Sequence, residues 1–188
     1  MLAIGLIDCQ KDFMNVNGAL YVQGANDIRY KFMPILSFAR VMKIPVFCTA
    51  DMHDGTEPEL QANGGPFPPH CMYDTPGWEL IHEIKQHVEE QHYAVFSKQC
   101  YDVFDPVCGS KFIVKWLVEH EISDVLLAGV VGNICVKAAA LGLAKRGIAV
   151  TLLDPAIVWL PVSATDNERT ARKELSEAGV KFSKTRMP

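Results

Sequence analysis

Apolar residues along this chain fall into six short runs, separated by longer segments with helical spacing. The runs Leu2 to Asp8, Pro45 to Ala50, Tyr93 to Ser97, Val125 to Val131, Ile148 to Asp154 and Val180 to Phe182 predict strands. Helical patterns lie between them, at about Asn26 to Met42, Gly77 to Glu90, Ser110 to His120, Asn133 to Lys145 and Ala164 to Ala178. Gly147 and Gly179 follow the last two patterns and suit C-terminal caps. Strands alternating with helices predict an α/β fold, a parallel sheet covered by helices on both faces. The first, fourth and fifth runs are nearly continuous in apolar residues, which suits the sheet centre. A length of 188 residues is enough for a sizeable core, and residues 1–188 are expected to form one domain.

One stretch breaks the rhythm. From Asp51 to Trp78 there is no clear strand or helix pattern, but there are five prolines, four glycines and two histidines. A long irregular segment inside a compact domain is usually functional.

The chemistry gathers where the predicted strands end. Cys135 lies in Leu127-Ala-Gly-Val-Val-Gly-Asn-Ile-Cys-Val136, which reads as a buried strand, a tight turn and a helix N-capped by Asn133. The thiol is thus expected in the first helical turn at the carboxyl edge of the sheet, where parallel α/β proteins bind ligands. A helix N-terminus there favours the nucleophilic thiolate. Taken alone, such a cysteine is as readily a small buried hydrophobe. Asp8 ends the first run and emerges at the same edge, although a lone aspartate there is more often a turn or cap residue. Gln10 and Asp12 read as local partners of the strand-to-loop turn. Lys98 ends the third run, from which its ammonium could hold a carboxylate and a thiolate in their charged forms.

Asp51 and His53 follow the second run, and His70 lies within Pro66-Phe-Pro-Pro-His70. One carboxylate and two imidazoles can make a three-ligand metal site with open positions. Spacing by itself favours surface polar chemistry over a metal. Glu57 and Glu59 are near enough to add a ligand, but solvated loop acids are the simpler reading. His82, His87, His92 and His120 read as surface residues on or beside polar helix faces. Cys9, Cys48 and Cys100 read as packing residues, with Cys71 pointing away from any site that includes His70.

Bulk properties exclude several classes. Acidic residues exceed basic ones, 22 to 18, with no basic run, which argues against a nucleic-acid partner. No apolar stretch is long enough to span a membrane, and Met1-Leu-Ala-Ile-Gly-Leu-Ile-Asp8 lacks the basic leader of a secretory signal. The six cysteines contain no C-x-x-C pair, so neither a zinc knuckle nor a disulfide framework is expected, and a reducing cytoplasm is the expected location.

Five segments in order, Asp8-Cys-Gln-Lys-Asp-Phe13, Thr49-Ala-Asp-Met-His53, Pro68-Pro-His-Cys71, Phe96-Ser-Lys98 and Gly129-Val-Val-Gly-Asn-Ile-Cys-Val136, resemble the isochorismatase-like cysteine hydrolases, nicotinamidases most closely. The resemblance implies a three-layer α/β/α fold with a six-stranded parallel sheet in the order 3-2-1-4-5-6. It implies a catalytic triad of Asp8, Lys98 and Cys135, and an oxyanion hole from the Val131 and Cys135 N–H groups. A cis peptide would fall at Val130–Val131. Asp51, His53 and His70 would bind a divalent metal ion, zinc with iron or manganese as alternatives, that orients substrate. Phe13 and Phe67 would wall the substrate site. The implied reaction converts nicotinamide to nicotinate and ammonia through a thioester, in NAD salvage, and homo-oligomers are common in the family. Met52 and Phe67 stand where nicotinamidases usually or often carry Trp, and Val131-Gly132 replaces their usual step before the nucleophile. These altered walls leave ureido or N-carbamoyl amides as alternative substrates. A non-catalytic binding protein on the same scaffold is the alternative from a different class.

Overall fold

Six parallel strands hydrogen-bond in the order β3-β2-β1-β4-β5-β6: β1 (Leu2–Ile7), β2 (Val46–Asp51), β3 (Ala94–Lys98), β4 (Asp124–Gly129), β5 (Ala149–Ile157) and β6 (Lys181–Ser183). This is the predicted α/β architecture and strand order. The structure is a computed structural model and describes residues 1–161, 163 and 166–184. The helices are α1 (Lys11–Met14), α2 (Ala25–Ile28), α3 (Phe32–Met42), α4 (His82–Gln91), α5 (Ile113–Glu119), α6 (Cys135–Ala144) and α7 (Glu168–Glu177).

Side chains alternate across the strands, so each face of the sheet carries its own core. Ile4, Leu6, Cys48 and Ala128 pack with Phe32, Leu36 and Ile84 of α3 and α4. Ala3, Ile7, Phe47 and Leu127 pack on the other face with Ile113, Val136, Ala140 and Leu175 of α5, α6 and α7. β1 and β4 are neighbours although β2 and β3 intervene in sequence, so the chain reverses direction across the sheet between them. The carboxyl ends of β1 and β4 flank this switch point.

Several predicted elements change at their ends for identifiable reasons. The first helical pattern splits into α2, a 3-10 turn at Arg29–Lys31 and α3. Pro34 has no N–H to offer the Tyr30 carbonyl and crowds it, so the preceding turn tightens. The second helix begins only at His82, because the chain before it pairs with the segment after β1, through a Gln10–Leu80 bridge and the Ile81 N–H to Cys9 carbonyl bond. β5 runs on to Ile157 through an irregularity in which its register with β4 jumps from Leu127–Leu152 to Gly129–Ile157. Pro155, which cannot donate to a ladder, sits in this break. α7 starts at Glu168, N-capped by Asn167, whose side chain and Thr170 form a reciprocal capping box; the predicted start at Ala164 lies outside the described residues.

The side-chain readings of Asn133, His87 and Cys100 need correction. Asn133 does not cap α6: its amide donates to Asp166 and its carbonyl oxygen accepts the Leu160 N–H, so it ties the turn before α6 to the segments after β5. His87 is buried, because it shares a helix face with Ile84, three residues earlier, and its ring bonds the Glu83 carbonyl. Cys100 is no packing thiol but is disulfide-bonded to Cys108. The irregular segment between Asp51 and Trp78 is borne out: it holds isolated bridges and one 3-10 turn, Gln61–Asn63.

Gly129 closes β4 at φ 125°, and a Cβ there would lie 2.1 Å from the Ile7 carbonyl oxygen. Gly129→Ala is therefore expected to lower stability by more than about 1 kcal/mol, measured by denaturant unfolding. A variant as stable as the parent would contradict the close packing of β1 and β4. Replacing Cys100 and Cys108 together with serine should cost about 2–3 kcal/mol under non-reducing conditions, for a cross-link closing so short a loop. The same pair of substitutions should cost little in the presence of reductant. An equal cost with and without reductant would contradict a stabilising bridge.

Candidate active site

Asp51 and Lys98 are register partners at the ends of β2 and β3, and Asp8 follows β1 directly. Three neighbouring strand ends thus deliver an acid, a base and a second acid to one spot. The Lys98 ammonium is almost completely buried. It pairs with Asp51 in a very close contact, lies 2.8 Å from Asp8 Oδ2, and donates towards Cys135 Sγ at 3.7 Å. Burial alone would strip the Lys98 proton, but the two carboxylates overcome it and hold its pKa well above the ordinary value.

Asp8 is fixed by β2. Its backbone is in the left-handed region, φ 50°, where aspartate is tolerated more readily than most residues. Its N–H reaches the Thr49 carbonyl and hydroxyl, and that hydroxyl donates to Oδ1 at 2.6 Å. Among the described residues Oδ2 takes no hydrogen bond, despite its ion pair with Lys98.

Cys135 is the first residue of α6, as the sequence predicts, and the Asp8 carboxylate lies within 4.8 Å of its sulfur. The thiolate expectation does not hold for the resting group. Burial pushes the thiol pKa well above its usual value; Lys98 opposes this, while Asp8 and Asp51 add to it. The field of the first helical turn is outweighed, and the sulfur keeps its proton until a base takes it. The Val130–Val131 peptide is cis. Among the described residues neither the Val131 nor the Cys135 N–H has an acceptor, and the Val131 carbonyl takes the Ile134 and Val136 N–H groups.

Asp51, His53 and His70 come together, each offering a ligand atom within 4.8 Å of the others, and all three are buried. His70 Nδ1 lies 2.8 Å from the Pro68 carbonyl. A carbonyl only accepts, so Nδ1 carries the proton and Nε2 presents its lone pair. His53 is fully buried, yet neither ring nitrogen has a hydrogen-bond partner among the described residues. Burial, then His70, lowers its pKa and keeps it neutral. Burial also raises Asp51, to about 7, against the pull of Lys98. A divalent cation would relieve both penalties, and the carboxylate–imidazole set suits one.

Residues read as incidental turn out to hold this site together. Gln10 is no local turn residue: its side chain accepts the Asp51 N–H at 2.7 Å and donates to the Asp51 and Trp78 carbonyls. Asp12 accepts the Cys71 N–H at 2.7 Å and so anchors the chain just after His70. Glu57 is buried and Glu59 only partly exposed, so neither is the solvated loop acid expected. Glu59 Oε1 lies 3.3 Å from His53 Nε2 and 4.0 Å from His70 Nε2, while Glu57 is buried beside the other face of His53. No spacing rule marks these two acids, because only the closed loop brings them inward.

A cavity of about 430 Å³ opens above Asp8, Asp51 and Cys135, with mostly apolar walls. Phe13 and Phe67 both line it and flank His70, with ring centroids 5.6 and 5.9 Å away. Tyr101, Ile134 and Leu160 also line it and carry no signal in the sequence.

A family model described as the isochorismatase domain matches residues 3–186. The chain is 27% identical to the nicotinamidase/pyrazinamidase of Mycobacterium tuberculosis, over 93% of this chain and 98% of that protein. It is 30% identical to nicotinamidase 1 of Arabidopsis thaliana over 56% of this chain, and there spans only 44% of the relative's length. Among solved structures, the pyrazinamidase of Pyrococcus horikoshii in complex with zinc is similar at a TM-score of 0.82 and 27% identity, over 98% of this chain and 99% of that one. Motif order, strand order and a match across nearly its whole length agree: the chain belongs to the isochorismatase domain family.

Proposed function

We propose that this chain is a cysteine-dependent amidohydrolase that converts nicotinamide to nicotinate and ammonia through a thioester on Cys135. The observation that carries the reading is the convergence of Asp8, Lys98 and the Cys135 thiol on the floor of a largely apolar cavity. The Mycobacterium tuberculosis relative, named for action on nicotinamide and pyrazinamide, supports the substrate class.

The protonated thiol needs a base, and Asp8 Oδ2, ion-paired to Lys98 but without a hydrogen bond among the described residues, can serve. As the thiol proton passes to Asp8, Sγ attacks the carboxamide carbon and the carbonyl electrons move onto oxygen. The free Val131 and Cys135 N–H groups stabilise that oxyanion. On collapse the C–N bond breaks, Asp8 returns the proton to the leaving nitrogen, and ammonia departs. A water then gives a proton to Asp8 and attacks the thioester carbon. The C–S bond breaks, the proton on Asp8 returns to sulfur, and nicotinic acid leaves, losing its carboxyl proton to the released ammonia or to water to give nicotinate. Lys98, 2.8 Å from Asp8 Oδ2, balances the charge in a buried site through both halves.

Asp51, His53 and His70, with Glu59 beside them, would hold a divalent metal ion, zinc, iron or manganese. When bound, the ion supplies a Lewis-acid anchor for the ring nitrogen of the substrate. Phe13 and Phe67 would pack against the ring. A single catalytic domain, expected from the chain length, and a cytoplasmic location, expected from the cysteine pattern, belong to the same proposal, as do the homo-oligomeric assembly and place in NAD salvage that the family resemblance implies. No helix among the described residues is long and apolar enough to cross a membrane.

Ammonia release from nicotinamide by the metal-loaded protein tests the reading. Cys135→Ala is expected to lower the rate by about 10³-fold or more while the fold is retained. Full activity in that variant would sink the mechanism. Asp51→Ala should lose bound metal, measured by elemental analysis, and raise KM; unchanged metal content would refute the ligand assignment.

A further inference from the structure

His53 has two ring nitrogens in different surroundings. Nε2 faces Glu59, the carboxylate that also approaches His70 Nε2. Nδ1 faces Glu57 Oε1 at 3.5 Å, at the outer limit of a hydrogen bond. An imidazole that binds a metal through Nε2 must carry its proton on Nδ1, and a buried N–H needs an acceptor. His53 is fully buried, and its Nδ1 has no hydrogen-bond partner among the described residues.

The Glu57 carboxylate is built into its place from behind. Oε1 accepts the Asp54 N–H at 3.0 Å and the Gln99 amide at 2.8 Å, and Oε2 accepts the Gly55 N–H at 3.1 Å. Asn63 donates to the Glu57 and Gly55 carbonyls, both at 2.9 Å, which fixes the backbone of the turn. Gln99 in turn follows Lys98, and its N–H bonds the Cys108 carbonyl inside the disulfide-closed loop. No lysine or arginine pairs with Glu57 among the described residues. A glutamate that is 6% exposed, its carboxylate clamped by three donor groups and without a counter-cation among the described residues, is a costly arrangement for a surface loop.

We propose that Glu57 is a positioning residue of the metal site: it accepts the Nδ1 proton of His53, which fixes the tautomer and ring plane that turn Nε2 towards the ion. The inference rests on the reading of Asp51, His53 and His70 as metal ligands. His70 receives its corresponding support from a neutral carbonyl, that of Pro68. The two imidazoles are therefore unequal, and the carboxylate makes His53 the more basic ligand. Two acids two residues apart thus divide the work, Glu59 on the ligand side of His53 and Glu57 behind it.

Zinc titration of chelator-stripped protein against a metal-binding dye tests this, together with the visible spectrum of the cobalt(II)-loaded protein. Glu57→Gln is expected to weaken zinc binding about 10–100-fold and to displace the cobalt bands at saturation. The unfolding midpoint of the metal-free protein should stay unchanged, and Glu57→Asp should recover part of the affinity. His70→Ala serves as the control. Weakened binding in His70→Ala with wild-type affinity and spectrum in Glu57→Gln overturns the role of Glu57 alone. Wild-type affinity in His70→Ala overturns the metal reading itself, and the role of Glu57 with it. Long-range proton–nitrogen NMR spectra of the unsubstituted zinc-loaded protein give an answer that needs no variant. His53 protonated at Nδ1 and metal-bound at Nε2 is expected; the opposite tautomer overturns the proposal.

Discussion

The site depends on one buried cation. Lys98 ends an edge strand, yet its ammonium lies between the carboxylates of Asp8 and Asp51 and within reach of the Cys135 sulfur. Two buried carboxylates so close together repel each other, and the ammonium between them offsets that repulsion. Removing one partner from such a cluster typically costs about 3–5 kcal/mol, because the remaining charges are left uncompensated. The geometry follows from the sheet. Asp51 and Lys98 are register partners, and β1 lies on the far side of β2, so the lysine reaches across one strand end to meet Asp8.

The same cation sets the chemistry. Lys98 is too heavily paired to hold Cys135 as a thiolate, and burial raises the thiol instead. The proposed mechanism therefore begins with a proton transfer to Asp8 rather than with a resting nucleophile. The strand ends supply rigidity, whereas the loop from Asp51 to Trp78 supplies the proposed metal ligands. That loop owes its order to polar staples. Gln10 binds both the N–H and the carbonyl of Asp51, and Asp12 holds the N–H of Cys71. Gly77 lies so close to the Asp12 carboxylate that a Cβ would come within 2.1 Å of it.

Much of this is legible in the sequence because hydrophobic runs and strand-end residues carry strong, local signals. Periodicity alone predicts six strands and the parallel sheet, and the ends of the runs mark Asp8, Asp51, Lys98 and the turn before Cys135. The residues that differ from their sequence reading depend on contacts that only the folded chain makes. Asn133 looks like an N-cap, but its partners are Asp166 and Leu160, which only the folded chain brings near. Glu57 and Glu59 look like solvated acids until the loop turns back on itself. Cys100 and Cys108 pair across a turn with no spacing rule to announce it. The shift of Cys135 away from the thiolate is a property of burial and of two carboxylates, not of its place on a helix.

The central claim is a covalent thioester on Cys135, and trapping with hydroxylamine tests it most directly. Hydroxylamine competes with water for an acyl-enzyme, so nicotinamide turnover in its presence should yield nicotinohydroxamate alongside nicotinate, the two summing to the ammonia released. Nicotinate alone, at an unchanged rate of ammonia release, would contradict the account.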